Sequence, residues 1–200
     1  MKPDIRLELP NVKYRRSFLD AMHEFRSLPR LGPSETHYKN YNVHNFDDMV
    51  ARRIREAKEA REGSVTQHYF WIVDHDGYAG RISLRHSLEF ADSESHGHVG
   101  YDIRPSKRGR GYAKAALRLC LDEARKIDMP EVLLTCLAAN KPSERIILGA
   151  MKEYGGRKIE PVEGAAGTTL RFWIPTSKKS AQSPRWMSVI IKKLFKKQGK

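Results

Sequence analysis

Arg108-Gly-Arg-Gly-Tyr-Ala113 is the stretch of sequence that decides the fold. It follows an extended run that ends at Pro105, and it opens an amphipathic helix predicted over about residues 111–127. A glycine-bearing turn between a strand and a helix presents backbone N–H groups, and the helix dipole adds positive potential there. The stretch therefore predicts a site for an anion, and a phosphate is the expected one.

Two common phosphate-binding motifs do not fit this turn. The dinucleotide fingerprint Gly-x-Gly-x-x-Gly has Lys114 in place of its third glycine, which would disturb close helix–strand packing. The P-loop pattern with Gly-Lys-Ser/Thr is absent. A simple helix start that uses Gly109 and Gly111 only to turn the chain is the structural alternative. A cluster of positive side chains argues against this alternative, because positive charge at a helix N-terminus is unfavourable unless a bound anion offsets it. The cluster consists of Arg104, Lys107, Arg108, Arg110 and Lys114.

The composition indicates one domain followed by a basic tail. The chain has 200 residues, 40% of them hydrophobic, and a net charge of +13. Residues 176–200 hold eight lysines and arginines and no acid, so +8 of the charge lies in the tail and +5 in residues 1–175. This distribution weighs against nucleic acid as a partner. With no apolar leader, no long apolar window and two cysteines in apolar patterns (Cys120 and Cys136), we expect a cytoplasmic protein with reduced, buried thiols.

Hydrophobic periodicity predicts the element order β, α, α, β, β, β, α, β, α, β. The predicted strands are 5–9, 68–73, 78–84, 98–103, 131–137 and 168–174, and the predicted helices are 12–27, 47–62, 111–127 and 142–154. Gly63 suits the end of the second helix. Hairpin-linked strands mixed with helices favour a single α+β domain with a mixed central sheet flanked by helices.

The segment Gly100–Leu117 resembles the acetyl-CoA-binding signature of the GNAT N-acetyltransferases, Arg/Gln-x-x-Gly-x-Gly/Ala. Arg108, Gly111 and Ala113 occupy its defining positions, and the order of elements is similar to the GNAT order over roughly residues 3–175. Segments 80–86, 97–101 and 133–136 resemble a branch of predicted acetyltransferases. The resemblance implies a GNAT domain over 1–175, and the charge and apolar pattern of residues 176–200 predict a basic amphipathic extension.

The resemblance also implies a set of cofactor contacts for acetyl-CoA. Main-chain groups of Ile103 would bind the pantetheine arm, and the N–H of Tyr101 would polarise the thioester carbonyl. The strand near residues 132–137 would splay from the pantetheine-binding strand. Asn140 and Ser143 would contact the CoA arm, with helix capping as the alternative role for both. The CoA pyrophosphate would lie on the backbone of Arg108, Gly109, Arg110, Gly111, Tyr112 and Ala113.

The catalytic residues are less specific in the sequence. A general base for the attacking amine is sought first at His98, which titrates in the right range, and then at Asp102, Glu94 or His86. The tyrosine that protonates the leaving thiolate in this family would fall near Ile147. Tyr154 is the remaining candidate for the acid, with solvent as the alternative.

The predicted function is transfer of an acetyl group from acetyl-CoA to a primary amine, on a small molecule or a peptide, in a ternary complex and without a metal. A CoA-binding regulatory module is the alternative from another class, and a basic membrane- or nucleic-acid-associated protein ranks third. The amphipathic tail would pack on its own domain, on a second subunit in a homodimer, or on an anionic membrane or acidic partner.

Overall fold

The computed structural model describes residues 3–29, 38, 43–89 and 96–178. The helices bounded within these ranges are α1 (Arg15–Arg26), α2 (Phe46–Arg55), α3 (Tyr112–Lys126) and α4 (Lys141–Tyr154). The strands are β1 (Arg6–Glu8), β2 (Gln67–Asp74), β3 (Gly77–Arg85), β4 (Val99–Ile103), β5 (Glu131–Leu137), β6 (Arg157–Val162) and β7 (Thr169–Pro175). Most of the predicted tail and the base candidate Glu94 lie outside the described residues, as do residues 30–37 and 39–42 between the first two predicted helices.

One mixed sheet holds all seven strands in the order β1-β2-β3-β4-β5-β7-β6. Every neighbouring pair is antiparallel except β4 and β5, which run parallel. The α+β class and the mixed sheet are therefore confirmed, and, apart from the end of the second helix, the predicted strands and helices recur within a few residues. The sequence-based order missed β6, whose side chains are mostly exposed.

Two hydrophobic clusters lie on opposite faces of the sheet. On one face, α3 and α4 cover alternate residues of the strands, such as Ile82, Leu134 and Phe172. On the other face, α1 and α2 cover Trp71 and its neighbours on β2 and β3. The sheet therefore separates a face under α3 and α4 from a face that α1 and α2 cover mainly at β2 and β3.

The remaining local predictions divide into confirmed and corrected ones. Cys120 and Cys136 are buried free thiols, as expected. The second helix is shorter than predicted: it ends at Arg55, and Glu56 takes the C-cap position that was expected at Gly63. The side chain of Glu56 is buried and pairs with Arg53, whereas the prediction had placed Glu56 inside a longer helix. Among the described residues, no helix has the length and apolar content that crossing a membrane would need.

Candidate active site

A cleft opens between β4 and β5. The two strands pair at one register position only, Val99 with Leu134, and the amide of His98 donates to the carbonyl of Leu133 at 2.8 Å. From Gly100 onward, β4 keeps its ladder with β3 but has no ladder with β5 among the described strands. The predicted splay is therefore present, and the edge of β4 that faces the cleft presents main-chain groups.

The glycine turn lies at the end of β4 and caps the start of α3. Gly109 and Gly111 both adopt the left-handed conformation, with φ of +73° and +83°, which favours glycine because it lacks a Cβ. Gly111 is the N-cap of α3. The first amides of a helix have no intrahelical acceptor, and the side chains of Arg110 and Lys114 beside them are exposed.

Charged contacts fix the turn to the β2–β3 hairpin. Lys107 is buried, and its Nζ lies 2.8 Å from Asp74 Oδ2 and 2.6 Å from Asp76 Oδ2. The hydroxyl of Tyr112 donates to the same Asp74 oxygen at 2.6 Å. Burial opposes ionisation of Asp74, but the bonds from Lys107 and Tyr112 prevail and lower its pKa. Lys107 therefore serves a structural ion pair in this structure.

A second brace joins the turn to α1. Glu24 accepts from the Arg104 guanidinium at 2.7 Å and from the backbone amide of Ser106 at 2.9 Å. The Nε of Arg108 donates to the carbonyl of Ile103 at 3.0 Å. The Arg108 side chain thus folds back over the end of β4, so the Ile103 carbonyl, which was expected to bind pantetheine, already accepts a bond here.

Tyr101 crosses from β4 towards the start of α4. Its hydroxyl lies 2.8 Å from Ser143 Oγ. Burial raises the pKa of Tyr101 to about 12, although the bond to Ser143 counteracts part of the shift. Asn140 caps α4 by accepting from the Ser143 amide at 3.2 Å, so its expected capping role is present. Tyr101, Asn140 and Ser143 therefore come together at one end of the cleft.

His98 holds β4 against β5. Its Nδ1 accepts from the amide of Leu133 at 2.8 Å, and its ring lies 5.6 Å from that of Trp173. Burial lowers the pKa of His98 to about 4, and the positive charge of Arg85 acts in the same direction. Only Nε2 remains available to a substrate, and an imidazole with this pKa is a weak proton acceptor at neutral pH.

Asp102 lies buried on the face opposite α3 and α4. Its Oδ2 is 2.5 Å from Arg81 Nη2 and accepts from the Tyr38 hydroxyl at 3.4 Å. The Tyr38 hydroxyl also lies 3.4 Å from that of Tyr78. Asp102 therefore belongs to a charged and aromatic cluster that links β3 and β4 to the α1 side of the sheet.

The other two candidates lie away from the cleft. Tyr154 is the last residue of α4, three turns or about 16 Å beyond Ser143. Its ring lies near Lys178. His86 is bonded to Thr66 at 2.9 Å and to His68 at 2.8 Å. Ile147, where a catalytic tyrosine was expected from the resemblance, is an apolar core residue.

Sequence inspection missed two residues that hold this site. In the sequence, Asp74 lies between two predicted strands, 68–73 and 78–84, and Glu24 lies within the predicted helix 12–27. Neither carries a local signal, because each acts on a turn far away in the chain. The acidic hairpin residue Asp74 and the basic cluster at the glycine turn have opposite charges, and this is the pattern that could have suggested the contact between Asp74 and Lys107.

The family model for the acetyltransferase (GNAT) domain matches residues 6–150. The chain belongs to the GNAT family. It is thus an acetyltransferase, as the turn and the splayed strands had indicated. Among curated proteins, none matches the sequence.

Solved structures with the same fold include three acetyltransferases. RimL, a ribosomal L7/L12 alpha-N-protein acetyltransferase in complex with coenzyme A, has a TM-score of 0.63 and 13% identity over 86% of this chain and 95% of its own. Microcin C7 self-immunity acetyltransferase MccE, in complex with acetyl-CoA and AMP, has a TM-score of 0.61 and 14% identity over 86% and 92%. A chimera of spermidine N-acetyltransferase SpeG from Vibrio cholerae and hSSAT has a TM-score of 0.59 and 12% identity over 86% and 95%. At these identities, the likeness establishes the fold.

Proposed function

We propose that this protein transfers the acetyl group of acetyl-CoA directly to a primary amine in a ternary complex. The observation that carries the proposal is the cleft after Val99, where β4 and β5 separate. The glycine turn lies at the end of β4 that borders this cleft. Such an opening lets a thioester lie between the strands, with an amine approaching across the sheet.

The turn would bind the CoA pyrophosphate. Backbone amides from Gly109 to Ala113 supply donors, and Arg110 and Lys114 supply exposed positive charge. The main chain of Tyr101 and the N–H of Ile103, whose carbonyl accepts from Arg108, would hold the pantetheine arm beside β4. RimL and MccE were solved with coenzyme A and acetyl-CoA respectively, which supports the same co-substrate here.

The transfer would proceed through a tetrahedral intermediate. The amine nitrogen forms a bond to the acetyl carbonyl carbon, and the carbonyl oxygen becomes an oxyanion that the Tyr101 N–H stabilises. Collapse of the intermediate re-forms the carbonyl and breaks the carbon–sulfur bond. The departing thiolate then takes a proton, for which we propose the Tyr101 hydroxyl, which is bonded to Ser143 and regains its proton from solvent after the transfer. This hydroxyl replaces the expected Tyr154, which lies at the far end of α4.

We propose that the amine loses its proton to water. Two described base candidates lie on the face of the sheet opposite α3 and α4, and both are engaged: His98 by the Leu133 amide and Asp102 by Arg81. A buried, weakly basic imidazole would remove a proton from an amine less readily than a water chain to bulk solvent. His98 would then act by holding the two strands in register at the start of the cleft.

A CoA-binding module without transfer activity is the second candidate. The apolar side chain of Ile147 at the position expected for the family's tyrosine favours it. The two candidates differ in one measurable outcome, the release of CoA thiol in the presence of an amine.

The test combines a binding measurement with a turnover measurement. Acetyl-CoA is titrated into the full chain by calorimetry, and thiol release is followed with a panel of peptide N-termini, polyamines and small amines. Amine-dependent thiol release with an acetylated product supports the enzyme. Binding without any amine-dependent release would leave the CoA-binding module, and no binding would exclude both.

A further inference from the structure

The face of the sheet opposite α3 and α4 carries polar side chains beside the cleft. Alternate residues of β3, β4 and β7 point to this face because their neighbours enter the core under α3 and α4. We call it the acceptor face, and it consists of Arg81, Ser83, Arg85, His98, Asp102 and Trp173. It continues from the area that α1 and α2 cover on β2 and β3.

The cleft is open towards this face at Gly100. A Cβ built on Gly100 would have Ser83 Oγ as its nearest neighbour, at 3.5 Å. The absent side chain leaves room where β4 and β5 separate, so an amine reaching the thioester would pass this glycine. Side chains on the neighbouring β3–β4 residue pairs would therefore contact the part of the acceptor molecule that lies beyond its reacting amine.

Arg85 lies opposite His98, which is two residues before Gly100, at the closed end of the cleft where β4 and β5 still pair. Its backbone amide donates to the His98 carbonyl at 2.7 Å, and its Nη1 donates to the carbonyl of Gly97 at 3.0 Å. Residues two apart on a strand are separated by about 7 Å, so the backbones of Arg85 and Gly100 lie about that far apart along the strands, and the guanidinium, which reaches Gly97, lies slightly beyond that. A group a few bonds from the reacting amine would span this distance.

The guanidinium of Arg85 is partly buried without an acidic partner in the described part of the chain. The carboxylates nearby are engaged elsewhere: Asp102 pairs with Arg81, and Glu131 pairs with Arg157 at 2.7 Å. Burial lowers the pKa of Arg85, and the charge of Arg81 acts in the same direction. A partly buried cation whose one side-chain acceptor is a neutral carbonyl favours an incoming anion.

We infer that the acceptor amine carries an anionic group, a carboxylate or a phosphate, and that the Arg85 guanidinium binds it beside the cleft. The inference rests on the proposed acetyl transfer and adds the chemical class of the acceptor. A planar guanidinium donates two parallel hydrogen bonds to either oxyanion, so the two groups share one recognition chemistry.

The test compares probes that differ only in the anionic group. Seryl-aspartyl amide is compared with seryl-asparaginyl amide, and phosphoethanolamine with ethanolamine. Each is titrated by calorimetry into CoA-saturated protein, and each is assayed for thiol release with acetyl-CoA. We expect the anionic member of at least one pair to be preferred by about 10-fold or more, the scale of a charge-assisted hydrogen bond. The pair that shows the preference identifies carboxylate or phosphate.

Three variants locate the preference on the chain. Arg85→Gln keeps a donor for Gly97 but removes the charge, and the preference should fall to less than about 2-fold. Arg85→Lys keeps the charge without the fork and should retain part of the preference. Arg157→Gln is the matched control, since Arg157 is an exposed arginine already paired with Glu131; it should keep the full preference.

The outcomes separate this inference from the proposed function. Equal binding and turnover of both members of each pair, or no binding of any probe, would overturn the anionic acceptor. An undiminished preference in Arg85→Gln would overturn the role of Arg85. Acetylation of some other amine would leave the proposed function intact in each of those cases. Unchanged CoA binding by Arg85→Gln shows that the variant is folded.

Discussion

The hydroxyl of Tyr112 donates a hydrogen bond of 2.6 Å to Asp74, 38 residues earlier in the sequence. Tyr112 is the first residue of α3, directly after the glycine turn, and Asp74 ends β2. The buried Lys107 pairs with the same carboxylate from the other side of the turn. The conformation of the turn therefore depends on a hairpin that lies outside the cleft.

Replacing Asp74 should weaken CoA binding. Asp74→Asn leaves Lys107 buried with only the exposed Asp76 as its acid, so we expect the unfolding free energy to fall by about 1–3 kcal/mol. We also expect CoA affinity to fall by about 10-fold, since the turn loses its anchor. Chemical denaturation and calorimetry measure the two effects. Asp76→Asn is the control and should change CoA affinity little; equal losses in both variants would contradict a special role for Asp74.

The stabilisation from Asp74 should depend on pH in a defined direction. Its folded pKa lies below the ordinary value because the bonds from Lys107 and Tyr112 outweigh burial. A carboxyl of this kind stabilises the fold above its unfolded pKa of about 3.9, and the stabilisation fades as the pH falls through the folded pKa. The difference in unfolding free energy between the native chain and Asp74→Asn should therefore shrink below about pH 4. A constant difference from pH 7 to pH 3 would argue against it.

Adding a methyl group at Gly111 should lower the unfolding free energy, whereas adding one at Gly149 should raise it. Gly111 has φ of +83° and caps α3, so Gly111→Ala should cost about 1–2 kcal/mol and weaken CoA binding. Gly149 lies inside α4, and a Cβ there meets nothing within 4 Å. Gly149→Ala should stabilise the fold by up to about 1 kcal/mol. Thermal unfolding and CoA titration of the two variants check the contrast. Unchanged CoA affinity in Gly111→Ala would contradict the assignment of the turn to the CoA site.

Histidine 98 should make stability, rather than turnover, depend on pH. With a folded pKa of about 4 and an unfolded one of about 6.5, the unfolded chain alone gains a proton as the pH falls between these values. Stability should therefore decrease over that window, by on the order of 3 kcal/mol at most. His98→Ala should remove this slope, as unfolding measured between pH 4 and 7 would show.

The same variant tests the alternative role of His98 as general base. If deprotonation runs through water, the acid limb of the kcat profile keeps its shape in His98→Ala. A flattened acid limb in the variant would instead return His98 to the catalytic role that its strand position suggested.

Removing the Tyr101 hydroxyl should slow the chemical step. Tyr101→Phe eliminates the bond to Ser143 and the proposed proton donor, so kcat should fall by about 100-fold with little change in the KM for acetyl-CoA. Because burial raises the pKa of Tyr101 to about 12, this group stays protonated up to about pH 11 and adds no alkaline limb below it. Tyr154→Phe is the matched control and should retain turnover. A larger loss of kcat in Tyr154→Phe than in Tyr101→Phe would assign the proton donor to Tyr154 instead.

The sequence by itself determined the fold class, the place of the glycine turn and most element boundaries. These features have local causes: hydrophobic periodicity of α3, turn residues at Asp74–Gly77 and an apolar run at β5. The strand β6 was not predicted because it lies at the sheet edge, contains Pro161 and buries little apolar surface. Its identity comes from pairing with β7 rather than from its own pattern.

Only the tertiary structure decided which groups the polar side chains contact. His98 looks like a base in the sequence, yet the Leu133 amide occupies its Nδ1. Arg108 occupies a defining position of the signature, and its Nε bonds the Ile103 carbonyl. Tyr101 meets Ser143, and Asp74 meets Tyr112, across tens of residues of chain. Such contacts depend on which strands lie adjacent and where β4 and β5 separate, and no short sequence window contains that information.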